Sequence, residues 1–156
     1  WELNERHYGS LTGLNKAQTK KKIGEEQFKK YRRSWDIPPP ILDENSQYSS
    51  HNNPLYKGIK NIPNTESLKN TYERVVPYFL INIKKHLVQN KNVLLSAHGN
   101  TIRALGKKIF NISNESINLL EIPTGNPLVI DFDSTGKFLS ARYLDESRKN
   151  KIISNQ

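Results

Sequence analysis

The sequence VLLSAHGNTIRALGKKIF occupies residues 93–110 and decides the fold class. It begins with a short, unbroken apolar run, Val93–Ala97, which is typical of a strand buried on both faces of a parallel sheet. A helical segment follows it directly, at residues 101–110. Open α/β sheets bind ligands where a strand ends and a helix begins, because free backbone N–H groups there attract anions. This stretch therefore predicts a ligand site.

Three polar or small residues fill the junction between the predicted strand and helix. Gly99 permits close approach of the backbone to a ligand, and Asn100 can cap the helix or contact the ligand. His98 is expected to point out of the edge of the sheet, where it could contact a ligand. The alternative is that His98 only satisfies the end of the helix, and the sequence favours neither interpretation.

The segment before this stretch predicts a long amphipathic helix over residues 65–87, where apolar side chains recur at spacings of three, four and seven. Thr65 is the predicted cap, and Pro77 predicts a kink near the middle. After the stretch, PLVIDFD (127–133) and FLSARYL (138–144) are strand candidates joined by a hairpin turn. The polar tail at 145–156 is predicted to be loosely held.

The N-terminal part of the chain predicts helices followed by a loop. Residues 15–33 are predicted to form a helix in two pieces, with Asn15 as its cap and Gly24 as a break. Residues 36–64 contain most of the prolines and show no sustained period, so a surface loop is predicted there, with its main excursion at 41–63.

These elements predict an α/β fold, a three-layer structure with a mostly parallel sheet flanked by helices. Three good strand candidates are few for such a sheet. The chain also starts at Trp1, without Met. We therefore expect that this chain is the C-terminal portion (1–156) of a single domain and that the N-terminal strands of the domain lie outside this sequence.

Composition limits the function. The formal net charge is +9, and residues 16–33 contain eight Lys and Arg against two Glu, which is +6 of that total. Such charge suits nucleic acid, an anionic membrane surface or a small polyanionic substrate. There is no cysteine and no long apolar run, and the four histidines lack a short metal-ligand spacing. We therefore expect no metal site, no membrane span and no nucleic-acid partner, because no recognised nucleic-acid motif occurs.

The sequence ERHYG at residues 5–9 brings together an acid, a cation, an imidazole and a phenol next to a glycine. A carboxylate beside cations can act as a general acid or base. Adjacent Glu and Arg residues are also common on protein surfaces, so the motif alone does not decide between the two interpretations.

Five segments together resemble one family. They are ERHYGSLTGLNK (5–16), GEEQFKKYRRSWDIPPP (24–40), NTESLKNTYERVVPY (64–78), SAHGNTIRAL (96–105) and EIPTGNPLVIDFD (121–133). In order and spacing they strongly resemble the cofactor-dependent phosphoglycerate mutases of the histidine phosphatase superfamily. The departures are the loop at 41–63, which is shorter than in the family, and the tail after 145.

The resemblance implies a cytoplasmic glycolytic enzyme that interconverts 3-phosphoglycerate and 2-phosphoglycerate. It implies 2,3-bisphosphoglycerate as the priming cofactor, no metal, and a homo-oligomer, either dimer or tetramer. The family carries the transferred phosphoryl group on a histidine in an Arg-His-Gly sequence. Residues 1–156 contain no such sequence, so the chain by itself is expected to be inactive.

The resemblance also implies roles for nine residues. Glu5 matches the proposed general acid/base, and His98 matches the second histidine, which contacts the transferring phosphoryl group. The other seven match residues that hold the substrate phosphate and carboxylate: Arg6, Tyr8, Lys16, Arg32, Arg33, Gly99 and Asn100.

Two alternatives remain open at the level of sequence. The first is a bisphosphoglycerate synthase or phosphatase of the same family, which shares these residues and differs only in details of the pocket. The second belongs to another class, a module that binds a polyanion or nucleic acid, and it is suggested by the charge alone.

Overall fold

The computed structural model describes residues 1–149, and these divide into two compact units. The first unit comprises Trp1–Glu5 together with the chain from Tyr72 onward, and the second comprises Arg6–Thr71. The predicted tail at 145–156 lies outside the described residues from position 150 onward. Residues 146–148 form a short 3-10 turn capped by Asp145.

The second unit contains helices α1 (Lys16–Ile23) and α2 (Glu25–Arg33). The side chain of Asn15 accepts hydrogen bonds from the N–H groups of Ala17 and Gln18, so the predicted cap is confirmed. Gly24 separates the two helices at φ +84°, a conformation that favours glycine. The predicted helix in two pieces is therefore confirmed.

Residues 36–64 contain two 3-10 turns, Ser50–Asn52 and Pro54–Tyr56, and no α-helix or strand, as the loop prediction requires. The two ends of the loop are joined, because the N–H of Leu42 donates to the carbonyl of Asn64 over 3.0 Å. This contact makes the segment a closed surface excursion, with Leu42 buried beneath it.

The long helix predicted over 65–87 is interrupted. It consists of α3 (Leu68–Tyr78), a π-helical segment (Phe79–Ile83) and α4 (Lys84–Val88). Pro77 lies within α3 and lacks the N–H group that would bond to the carbonyl four residues before it. The π-helical segment begins two residues after Pro77, and the sequence analysis did not predict it.

The predicted cap of this helix is wrong. The Thr65 hydroxyl donates to the carbonyl of Pro39 instead, over 2.7 Å. Ser67 caps α3: its Oγ accepts from the N–H of Asn70, whose Oδ1 accepts from the N–H of Ser67. This reciprocal pair is a capping box with Asn at its fourth position, so the helix begins two residues later than the Thr65 prediction implies.

Helix α5 (Gly99–Ile109) follows Val93–Ala97 as predicted, but Val93–Ala97 does not form a strand with any described residue. Leu94 is 96% exposed and Val93 is 40% exposed. The predicted burial is therefore wrong for residues 1–149. The physical reason is that a strand is defined by the backbone of its neighbours, and the described residues place none beside this segment.

The sheet in residues 1–149 is a two-stranded antiparallel hairpin of β1 (Leu128–Phe132) and β2 (Phe138–Tyr143). Leu128 lies opposite Tyr143, and the register shifts by a bulge after Asp131. Both strands and their turn were predicted. The described chain is thus α/β with a small antiparallel sheet.

Each unit has its own apolar core. In the first unit the buried side chains are Val75, Val76, Phe79, Ala104, Leu105, Phe110, Ile112, Ile117, Leu120 and Tyr143. The rings of Phe110 and Phe138 meet edge to face at 5.2 Å and connect α5 to the hairpin. In the second unit, Pro39, Leu42 and Leu68 are buried.

The Gly9→Ala variant should test the packing of the second unit. Gly9 has φ +54°, and a Cβ there would collide with the carbonyl oxygen of Pro40. Gly24→Ala is the matched control, because Gly24 also has positive φ but faces open space. We expect Gly24→Ala to cost about 1–2 kcal/mol of unfolding free energy. Gly9→Ala should cost clearly more in urea denaturation, and equal costs would contradict this packing.

Candidate active site

A carboxylate lies against the N-terminus of α5 in the first unit. The side-chain amide of Asn100 donates to Oε1 of Glu5 over 2.5 Å, and the N–H of Asn100 approaches Oε2 at 3.5 Å. Asn100 is in the first turn of α5 and is buried, while Glu5 is half-buried. The positive end of the helix dipole attracts a negatively charged group in this position.

A buried arginine fixes the orientation of the Asn100 amide. Arg103, 3% exposed, donates from Nη1 to Oδ1 of Asn100 over 3.1 Å and from Nη2 to the carbonyl of Ile117 over 2.8 Å. A guanidinium has no acceptor, so the oxygen of the amide must face Arg103. The NH2 group of Asn100 is consequently turned towards Glu5.

The backbone that carries Glu5 is held by two further side chains. Arg74 on α3 donates to the carbonyls of Glu2, Asn4 and Glu5, over 2.6 to 3.2 Å. The Thr101 hydroxyl on α5 lies within hydrogen-bond distance of two carbonyls, at 3.1 Å from Leu3 and 2.9 Å from Asn4. The turn at residues 1–4, before Glu5, is therefore tied to both helices, and this fixes the point from which the carboxylate projects.

His98 occupies the N-cap position of α5 and is exposed. Its side chain makes no capping hydrogen bond, so the alternative that it only satisfies the helix end is wrong. Gly99 follows it, and a Cβ at Gly99 would meet nothing within 4 Å. The backbone at the start of α5 is thus accessible to a ligand, in a position where N–H groups favour anions.

In the second unit, Arg6, Tyr8 and Arg32 form one cluster. The guanidinium carbons of Arg6 and Arg32 lie 4.7 Å and 4.9 Å from the centre of the Tyr8 ring, and Arg32 is also 5.5 Å from the ring of Phe28. Cation–π contacts of this kind hold a guanidinium in place without neutralising its charge. Arg32 is half-buried and remains suited to binding an anion.

Arg6 has a structural task as well. It is 2% exposed and donates from Nη2 to the carbonyls of Tyr31 and Arg32, at 2.9 and 3.4 Å. These are carbonyls of the last turn of α2, where a cation is favourable for the helix dipole. Part of the donor capacity of Arg6 therefore positions α2 and the Arg32 side chain that α2 carries.

The remaining predicted cations lie on the helices of the second unit. Lys16 is the first residue of α1 and is exposed, and Arg33 is the last residue of α2 and is half-buried. Lys20 and Lys30 form ion pairs of 2.8 Å with Glu25 and Glu26. The hydrogen bonds from these lysines lower the pKa of both glutamates. Both acids of the basic segment are therefore paired with lysine.

Sequence reasoning missed Arg74 and Arg103. One signal could have indicated Arg103: it lies three residues after Asn100, on the same face of the helix. Nothing local distinguishes Arg74 from an exposed helix charge, because its partners lie about 70 residues away along the chain.

Two observations concern other classes of site. Within residues 1–149 no group of three or more His, Asp or Glu side chains is arranged to hold a metal ion. No helix in that part of the chain is both long and apolar enough to cross a membrane.

Comparison with known proteins gives consistent matches. The profile of the histidine phosphatase superfamily (branch 1) matches residues 45–144. The chain is 51% identical over 155 residues to the 2,3-bisphosphoglycerate-dependent phosphoglycerate mutase of Pelagibacter ubique, covering 98% of this chain and 65% of the relative. The mutases of the same name from Hyphomonas neptunium and Caulobacter vibrioides are 52% and 53% identical over 152 residues, which is 97% of this chain and 64% of each relative. The chain thus spans slightly less than two thirds of the length of these relatives.

Replacing Arg103 should show how much the site depends on it. Arg103→Met removes the Arg103 donor from Oδ1 of Asn100 and one of two donors from the carbonyl of Ile117, so we expect a loss of about 2–4 kcal/mol in unfolding free energy. Lys108→Met on the exposed face of the same helix is the control and should change stability by less than about 0.5 kcal/mol. Urea denaturation measures the unfolding free energy of both variants. Equal values for Arg103→Met and Lys108→Met would contradict the positioning role of Arg103.

Proposed function

This chain belongs to the histidine phosphatase superfamily (branch 1), and on that premise we propose that the whole protein is a phosphoglycerate mutase dependent on 2,3-bisphosphoglycerate. The observation that carries the proposal is the contact between Glu5 and Asn100. It holds a carboxylate at the N-terminus of α5, next to the exposed His98. The three relatives named as such mutases match 97–98% of this chain at 51–53% identity and support it.

Glu5 is the group that moves a proton in this proposal. When a substrate hydroxyl attacks phosphorus, the Glu5 carboxylate takes the hydroxyl proton, and when the phosphoryl group leaves that oxygen, Glu5 returns the proton. The amide of Asn100 keeps one carboxylate oxygen occupied. The Glu5 carboxylate that transfers the proton therefore has a defined orientation.

His98 and the start of α5 stabilise the phosphoryl group in this proposal. Phosphoryl transfer needs positioning and donors for the equatorial oxygens more than it needs covalent chemistry from the protein. The imidazole of His98, the accessible backbone at Gly99 and the first N–H groups of α5 are donors of the required kind.

The cations of the second unit suit a small, multiply anionic ligand. We assign Arg6, Tyr8, Lys16, Arg32 and Arg33 to the binding of substrate phosphate and carboxylate. The same donors fit 2,3-bisphosphoglycerate, which when bound supplies the phosphoryl group that primes the enzyme. A half-buried guanidinium held by aromatic rings is suited to bidentate contact with phosphate or carboxylate.

Three further expectations belong to the proposal. Val93–Ala97 becomes a strand of a mostly parallel, three-layer sheet when other strands cover it. The chain forms the C-terminal portion of one mutase domain, with 41–63 as a loop excursion. The protein acts in the cytoplasm as a homo-oligomer, without nucleic acid or membrane as a partner.

The direct test is an assay of the purified whole protein with 3-phosphoglycerate. We expect formation of 2-phosphoglycerate that requires catalytic 2,3-bisphosphoglycerate and persists in the presence of a metal chelator. Hydrolysis of the bisphosphate faster than isomerisation would instead favour the phosphatase alternative. The 156-residue chain alone should show no turnover, since it contains no Arg-His-Gly sequence for the phosphoryl-carrying histidine.

Glu5→Gln should lower the kcat of the whole protein by about a hundredfold or more, the usual scale for a general acid or base, with a small change in KM. Glu26→Gln is the matched control, because Glu26 is exposed and only pairs with Lys30. Its kcat should stay within about twofold of the wild type. An unchanged rate for Glu5→Gln would show that Glu5 is a structural carboxylate.

A further inference from the structure

His7 closes a tight turn with its own side chain. The N–H of Gly9 donates to Nδ1 of the His7 imidazole over 3.0 Å. The residue between them is Tyr8, whose backbone is held at φ −85° and ψ 13°. A ring nitrogen that accepts a hydrogen bond carries no proton, so this geometry assigns to His7 the neutral tautomer with its proton on Nε2.

The backbone on both sides of the turn is clamped. Oε2 of the buried Glu66 accepts from the N–H of His7 over 2.8 Å, and the N–H of Glu66 donates to the carbonyl of His7 over 2.9 Å. On the other side, the N–H of Ser10 donates to the carbonyl of Pro40 over 2.8 Å. Among these contacts, only the one made by the imidazole is broken by a protonation close to neutral pH.

The turn determines where the ring of Tyr8 lies. That ring receives the guanidinium groups of Arg6 and Arg32. A change in the backbone of Tyr8 would move the ring and, with it, the surface on which Arg32 stacks. The state of His7 is therefore connected to the position of a cation that the proposed function assigns to the substrate.

We propose that His7 is a positioning residue: its neutral imidazole holds the turn that presents Tyr8 and Arg32 to phosphoglycerate, and protonation of Nδ1 releases that turn and weakens substrate binding. The substrate part of this inference rests on the proposed function. The turn at His7 does not rest on the proposed function, because its hydrogen bonds are observed within the second unit.

The surroundings of His7 favour its neutral form. Burial lowers the pKa of His7 below the ordinary histidine value, and His51 lowers it further, while the Glu66 carboxylate raises it. Because the pKa in the folded state is below that of the unfolded state, the neutral turn contributes its full stability above the unfolded pKa. That contribution is lost as the pH falls through the folded pKa.

The first experiment uses no substrate. NMR of the ring nitrogens in the whole protein should show His7 at neutral pH with a proton on Nε2 and none on Nδ1. The amide signal of Gly9 should shift with the same midpoint as the His7 titration, because its hydrogen-bond acceptor disappears on protonation. A proton on Nδ1 at neutral pH, or a Gly9 amide that ignores the titration, would overturn the proposal.

The second experiment compares KM for 3-phosphoglycerate from about pH 5 to pH 8, the range in which histidine titrates. His7→Asn places an amide oxygen near the position of Nδ1 but does not titrate. The ratio of wild-type KM to His7→Asn KM should be close to one at the alkaline end. It should rise to roughly five- to tenfold at the acidic end, the contribution of one partly buried hydrogen bond, with the midpoint found by NMR.

Two further variants complete the design. His7→Gln carries its amide beyond the Nδ1 position, so its KM should be raised by roughly five- to tenfold at every pH, with kcat within about twofold of the wild type. His86→Asn replaces an imidazole on α4, outside the unit that contains the turn at His7, and should follow the wild-type profile. A KM ratio for wild type and His7→Asn that does not vary with pH would also overturn the proposal.

The two proposals fail in different ways. If the wild-type protein does not isomerise 3-phosphoglycerate, the proposed function is wrong, and the NMR experiment still decides whether His7 holds the turn. If isomerisation is found and the His7 experiments fail, only the positioning role is lost. Should His7→Gln not fold, the tautomer and the His7→Asn ratio remain decisive.

Discussion

The first unit depends on an amide whose orientation is set by a neighbour that can only donate. Arg103 fixes the oxygen of Asn100, so the NH2 group of Asn100 faces Glu5. With the amide reversed, its oxygen would face the carboxylate, and two acceptors would repel each other. A buried cation therefore determines which hydrogen bond Glu5 receives from Asn100. The same guanidinium ties α5 to Ile117, so the position of the helix and the orientation of the amide are coupled.

Features that depend on neighbours a few residues away could be predicted from the sequence. Asn15 caps α1 by accepting from N–H groups two and three residues ahead, and Gly24 ends that helix because it adopts positive φ. The hairpin is similar: Oδ1 of Asp133 accepts from the N–H groups of Thr135 and Lys137, which closes the turn between β1 and β2. In each case the residue that determines the structure and the residue that receives its hydrogen bond belong to one short segment, so the pattern is visible without the fold.

Features that depend on distant partners could not be predicted in this way. In the sequence, Arg74 and Glu66 look like ordinary surface charges. Arg74 nevertheless donates to carbonyls about 70 residues away, and Glu66 accepts from a backbone N–H 59 residues away.

The segment Val93–Ala97 also depends on distant neighbours. Its apolar run is a sound indication of a buried strand, but burial and pairing are properties of the neighbours, and residues 1–149 place none beside it. The candidate site residues came from the resemblance to a family. The structure then distinguished Asn100, which is hydrogen-bonded to Glu5, from His98, which is exposed at the N-terminus of α5.

The net charge of +9 overstates the charge that the described chain offers to a partner. Buried Arg103 donates to the Asn100 side chain and to the carbonyl of Ile117, and Lys20 and Lys30 pair with glutamates. A module for long nucleic acid needs an extended row of cations that follow the phosphate backbone. The second unit instead holds one guanidinium against two aromatic rings, through the contacts of Arg32 with Tyr8 and Phe28. Because the rings already hold this guanidinium in place, less side-chain entropy is lost when an anion binds to it.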